Sequence, residues 1–114
     1  MIDHPALSDE DRTPPRAVAD AARRGLNLRE AHGRGGTEVG VRRAGQLMER
    51  GAVSDRDIKS IYSYFARHAV DRRGRGWADP VKPSAGYIAW QLWGGDAGRE
   101  WIDDLRARLR EAEG

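Results

Sequence analysis

The chain contains no cysteine, which excludes a disulfide framework and any thiolate metal site and leaves the redox compartment undetermined. Lysine is scarce, at two of the twenty basic residues, the other eighteen being arginine. No apolar run approaches the ~20 residues that a bilayer span needs, so no membrane partner is expected. The opening Met-Ile-Asp-His-Pro lacks the basic and apolar regions of a secretory signal, and a soluble intracellular protein is the expectation. No segment longer than four residues alternates strictly between apolar and polar, and no internal repeat is visible, which argues against sheet and solenoid architectures. No nucleotide-hydrolysis signature, metal set or cofactor motif is found, so no cofactor is expected.

What is present is 114 residues, enough for one domain with a modest core, and a net charge of +2 that hides a division. Residues 1–15 carry −3, residues 16–76 carry +7 and residues 77–114 carry −2. A basic block between acidic flanks is a footprint for a polyanion. Arginine suits bidentate phosphate contact, although an arginine-for-lysine bias also arises from codon supply alone.

Apolar spacing predicts an all-α fold, a compact bundle of about five short helices behind a flexible acidic leader at residues 1–12. The single helical domain then covers residues 13–114. Thr13-Pro14-Pro15 reads as the start of a first helix, with Val18, Ala21, Ala22 and Leu26 on one face. Gly25 weakens that helix by ~1 kcal/mol relative to Ala, unless another backbone needs the space. Gly33 is the expected stop. Thr37 is the expected cap of a second helix, which Gly51 ends. Ser54-Asp55-Arg56-Asp57 resembles a capping box, followed by Ile58, Ile61, Tyr62, Phe65, Ala66 and Ala69 in an amphipathic stripe. A loop from Asp71 to Pro83 precedes a short helix capped by Ser84. Gly94-Gly95 breaks it, and Asp96 is the expected cap of the last helix, with Trp101, Ile102, Leu105 and Leu109 aligned.

Three places invite a functional reading. Gly33-Arg34-Gly35-Gly36-Thr37 leads into a helix N-terminus, where free amides attract an anion and Arg34, Arg42 and Arg43 add charge; a plain helix connector is the reading preferred for the turn by itself. Arg72, Arg73 and Arg75 with Trp77 set cations beside a ring in a flexible loop, as binders of a nucleic-acid backbone do, unless Trp77 folds back as a plug in the core. His68 and Asp71, three apart, share a helix face and suit proton transfer, but no nucleophile accompanies them. The segment from Pro83 to Trp101 holds three of the four tryptophans. Trp93 and Trp101 lie on apolar stripes and read as core. Trp90 lies off the stripe and is the expected protein-interface residue.

The strings Gly25-Leu26-Asn27-Leu28-Arg29, Gly33-Arg34-Gly35-Gly36-Thr37, Val41-Arg42-Arg43-Ala44, Ser63-Tyr64-Phe65-Ala66-Arg67-His68-Ala69-Val70-Asp71 and the segment from Pro83 to Trp101 together resemble a small domain that recurs in bacteriophage and prophage proteins. The resemblance covers about residues 16–101. It implies a phage setting, in the host cytoplasm or the virion, and brings no catalytic residues. The expectation is a non-enzymatic helical module that binds nucleic acid, DNA before RNA, through phosphate contacts of Arg34, Arg42, Arg43, Arg72, Arg73, Arg75 and Trp77. The alternatives are an adaptor to a phage structural or packaging protein through Trp90 and, behind it, an enzyme using His68 and Asp71.

Overall fold

Serine side chains start three of the helices in the computed structural model of the chain, which describes residues 7–114. The order is α1 (Asp9–Arg12), α2 (Arg16–His32), α3 (Glu38–Glu49), α4 (Asp55–His68), a 3-10 turn (Ala69–Arg73), α5 (Ala85–Leu92) and α6 (Gly95–Glu113), with no strand among the described residues. The all-α expectation holds, with five principal helices and the four-residue α1. At α4 the Asp57 amide donates to Ser54 Oγ and the Ser54 amide returns to the Asp57 carboxylate, a complete capping box with Asp in the Glu position. Ser8 and Asp11 repeat it at α1, and Ser84 accepts the Tyr87 amide at α5.

Two expected caps fall elsewhere, and a third is in place without a side-chain bond. Thr13 closes the end of α1, its hydroxyl donating to the Asp9 carbonyl, and α2 starts after Pro15 without a side-chain cap. Thr37 is the N-cap of α3, but its hydroxyl makes no cap bond. Asp96 lies inside the first turn of α6, behind Gly94, and accepts the Trp90 indole N–H at 2.9 Å. Gly51 is not the stop of α3 either. Arg50 takes the left-handed conformation there (φ 56°) and its Nε donates to the Pro14 carbonyl.

Residues 1–6 of the expected leader lie outside the described residues. Residues 7–12 are not flexible: Leu7 is buried in the core, and the α1 turn is tied down from both sides. The Trp101 indole donates to the Asp11 carbonyl and Arg108 grips the Asp11 carboxylate, while Arg12 donates to the Val53 carbonyl and pairs with Asp55 at 2.6 Å. The stretch is docked by Leu7, by the Asp11 carboxylate and by the Arg12 guanidinium together. Ser8 and Arg108 hold the Asp11 carboxyl below its ordinary range.

One contiguous core runs through the bundle, with Val18 and Ala22 of α2, Leu47 of α3, Ile58, Ile61 and Phe65 of α4, Trp90 and Leu92 of α5, and Ile102 and Leu105 of α6. α2 packs on α3, α5 and α6, and α4 packs on α6. The crossing of α2 with α5 is the tightest place. A Cβ at Gly25 would stand 2.6 Å from the Leu92 amide nitrogen and 2.9 Å from the Gln91 carbonyl carbon, so the two backbones touch where only glycine fits.

Candidate nucleic-acid interface

α5 carries the residues around which the candidate site is built, and it is covered on nearly every side. Ile88, Trp90, Gln91 and Leu92 are all buried. A helix enclosed in this way has no outward stripe, and this overturns the expectation that Trp90 meets a partner. Trp90 is 0% exposed, edge-on to Phe65 and Trp77, with Arg72 and Arg99 near its ring at 5.8 and 5.7 Å. Trp77 also departs from the nucleic-acid set. Its half-buried ring makes T-shaped contacts with Tyr87 and Trp90 and packs against the core, so it plugs the core side of its loop.

That loop is ordered by its own backbone. The 3-10 turn Ala69–Arg73 continues α4, and the Ser84 amide closes the rest onto the Gly76 carbonyl at 2.9 Å. Inside the ring so formed, the Asp79 carboxylate accepts the Val81 and Lys82 amides, which hold its carboxyl below the ordinary range. The expected flexible loop is a hydrogen-bonded one.

The 33–37 turn and this loop meet. Gly33, Gly35 and Gly36 all have positive φ, which lets the turn fold down on α5, with Gly35 against Ile88 and Gly36 against Leu92. Arg34 then reaches across, its Nη2 donating to the buried Pro83 carbonyl at 2.7 Å while its Nε stays buried without a hydrogen-bond partner. Arg34, Arg75 and Lys82 consequently line one cleft of about 340 Å³ together with Gly76, Ser84 and Asp79. Lys82 was absent from the sequence-predicted set, because nothing in a linear reading brings it to Arg34.

The remaining arginines separate. Arg43 is spent internally: it donates to Asp57, Gln46 and Ser60 and lies 5.2 Å from the centroid of Trp93. Burial raises the Asp57 carboxyl, but Arg43, the Ser54 amide and Gln46 outweigh it, and the net direction is downward. Arg42 is exposed on α3 beside a different cleft, with Val39 and Gln46. Arg72 pairs at 3.8 Å with Asp96. Arg34, Arg42, Arg73 and Arg75 make no ion pair among the described residues. The basic block is therefore partly neutralised from within, and of the sequence-predicted arginines only Arg34 and Arg75 share a cleft.

On the other side of the 33–37 turn lies a second cleft, of about 370 Å³, into which Gly36 and Thr37 face. Its wall is an aromatic stack. Trp93 and Tyr64 lie parallel at 4.4 Å with 2° between their planes, and His68 stacks on Tyr64 at 4.5 Å. Tyr64 and His68 are i and i+4 on α4, a spacing visible in the sequence and passed over there. The Tyr64 hydroxyl is buried with no partner, and burial followed by the charge of Asp71 pushes its pKa upward. His68 Nδ1 sits 3.0 Å from Asp71 Oδ2, with 42% of its side chain exposed. That pair can orient an imidazole, but among the described residues Asp71 is its one polar partner, and no hydroxyl bonds to the ring. No three His, Asp or Glu side chains gather into a metal-binding group among the described residues, and no described helix is long and apolar enough to cross a membrane. Comparison with family models, with curated proteins and with solved structures found no match.

Proposed function

We propose that this chain is a non-enzymatic module that holds nucleic acid by its phosphates, through the cleft of Arg34, Arg75 and Lys82. The observation that carries the reading is the bridging of two distant segments by Arg34, which converts scattered basic residues into one cleft with an unpartnered buried N–H. Three cations against the single, already hydrogen-bonded Asp79 favour an anionic group between them. Arg73, exposed two positions before Arg75, is kept as a further contact. Arg43 drops out of the contact set, since Asp57 already holds it. The resemblance to a phage domain supports DNA over RNA as the polymer and a setting in the host cytoplasm or the virion.

Titration of a labelled DNA strand by fluorescence anisotropy at several salt concentrations tests this. With three phosphates contacted, log K falls by about 2 to 3 per tenfold rise in salt. The double substitution R75A/K82A, at two exposed loop positions, leaves the circular dichroism unchanged and flattens that slope by about 2. Binding that is absent, or unchanged by salt and by the double substitution, overturns the reading.

A further inference from the structure

The second cleft differs in chemistry from the first. No carboxylate lines it, and its polar groups are donors in surplus. The Thr37 hydroxyl has no cap bond, the Ser60 oxygen accepts from Arg43 and keeps its own proton to give, and the Tyr64 hydroxyl is unpartnered. Arg67 adds a guanidinium whose one hydrogen bond, from Nε, runs to the carbonyl of Ser63 on its own helix. Between these donors Trp93, Tyr64 and His68 are stacked face to face, and the stack ends on the half-exposed imidazole, a planar ring on which another can be layered. Donors around a planar ring match a planar ligand rich in ring nitrogens and carbonyl oxygens.

The two clefts also share one element. Arg34 lines the first, and Gly36 and Thr37 line the second, so the 33–37 turn is the ridge between them. A strand whose phosphate is held on Arg34 and Arg75 has its neighbouring base next to this ridge. We propose that the second cleft receives one unpaired base of the bound strand, stacked as the next layer on His68, and that the protein therefore selects single-stranded nucleic acid over duplex. A paired base cannot enter, because its polar edge is already taken by its complement and its faces by its neighbours; an unpaired one offers both. The inference rests on the phosphate-binding reading above and adds the state of the strand to it. His68 is a binding residue here, and Asp71 holds its ring in place from Nδ1.

The test compares one DNA sequence as a single strand and as a duplex, at equal salt, with a fluorescent adenine analogue in the strand. The wild-type chain binds the single strand at least tenfold tighter and quenches the analogue. His68→Ala lowers single-strand affinity by roughly tenfold, the lower end of the effect of losing one stacked base, while leaving duplex affinity and the salt slope unchanged. His68→Phe, which keeps a flat ring and cannot titrate, restores the preference. Equal affinity for the two forms, an unquenched analogue, or a preference that survives His68→Ala overturns this inference alone. Failure to bind either form overturns the phosphate reading together with it.

Discussion

At Gly25 helix propensity and packing disagree in sign. In an isolated helix Gly→Ala is stabilising by about 1 kcal/mol, since alanine loses less backbone entropy. In the fold the added methyl meets the Leu92 amide nitrogen at 2.6 Å, and a backbone atom held in a helix cannot move aside as a side-chain tip can. Gly25→Ala is expected to destabilise the protein by about 1–3 kcal/mol, the cost of overpacking, read as a lower urea midpoint with the slope unchanged. A stabilised variant shows that α2 and α5 have room to part. Trp90 illustrates the opposite limit of residue-level reading. Its place off the stripe signals exposure only if the helix has an outside, and that depends on Trp77, Arg72 and Arg99 arriving from elsewhere in the chain.

Among the elements, α4 was the most legible. Its capping box and the Ile58, Ile61 and Phe65 of its stripe are local features, set by residues three and four apart, and they hold, although Ala66 of the expected stripe is exposed and Tyr64, left out of it, is buried. What spacing could not show is that the Asp57 of that box also receives Arg43 and Gln46 from α3. This second duty has a consequence in acid. The folded carboxyl titrates below its ordinary value of 3.8, so the stability it contributes is present in full above that value and is lost as pH falls through the lower, folded one. Stability should therefore decline below about pH 5, and Asp57→Asn should flatten that decline while lowering the plateau near neutrality. Urea midpoints measured across that range decide it; parallel profiles for the two proteins refute the assignment. The loop before α5 was less legible for a related reason. Its order comes from the Ser84 amide on Gly76 and from Arg34 on Pro83, contacts with no period for a sequence pattern to reveal.

For the molecule as a whole, the acidic flank and the basic block mark a division in sequence that the fold partly cancels. Lys59 reaches Glu113 and Arg72 faces Asp96, so a summed charge over 61 middle residues overstates the field available to a partner, while at the acidic end Asp11 reaches Arg108 and Arg12 reaches Asp55. The same contacts show why residues 7–12 belong to the folded body. Arg12 is the tether, its guanidinium shared by the Val53 carbonyl and the Asp55 carboxylate, with 20% of the side chain exposed. Arg12→Ala is expected to cost about 1–2 kcal/mol, chiefly through the unpaired Val53 carbonyl, and to raise amide hydrogen exchange at α1 ahead of the rest of the chain. Uniform exchange rates across α1 and α2 in that variant contradict a tether. The number of principal helices was open to sequence reading because four of them are amphipathic on their own and α5 is bounded by Ser84 and by Gly94-Gly95. The candidate site was not, since its two clefts are assembled from the 33–37 turn, α4 and the far loop together.

The close crossing of α2 and α5 also sets an order of events on the ribosome. Arg24 donates to Gln91, 67 positions away, and Gly25 fits against Leu92, so one face of α2 has no cover until α5 has been translated. α2 and α3 can pair as they emerge, but Val18, Ala21 and Ala22 wait with apolar surface open to water. Contacts so distant in sequence close late and make folding slower than helix content alone implies. The nascent chain therefore carries an uncovered apolar face on α2 until the α5 segment is available, and its resistance to protease is expected to rise when that segment docks.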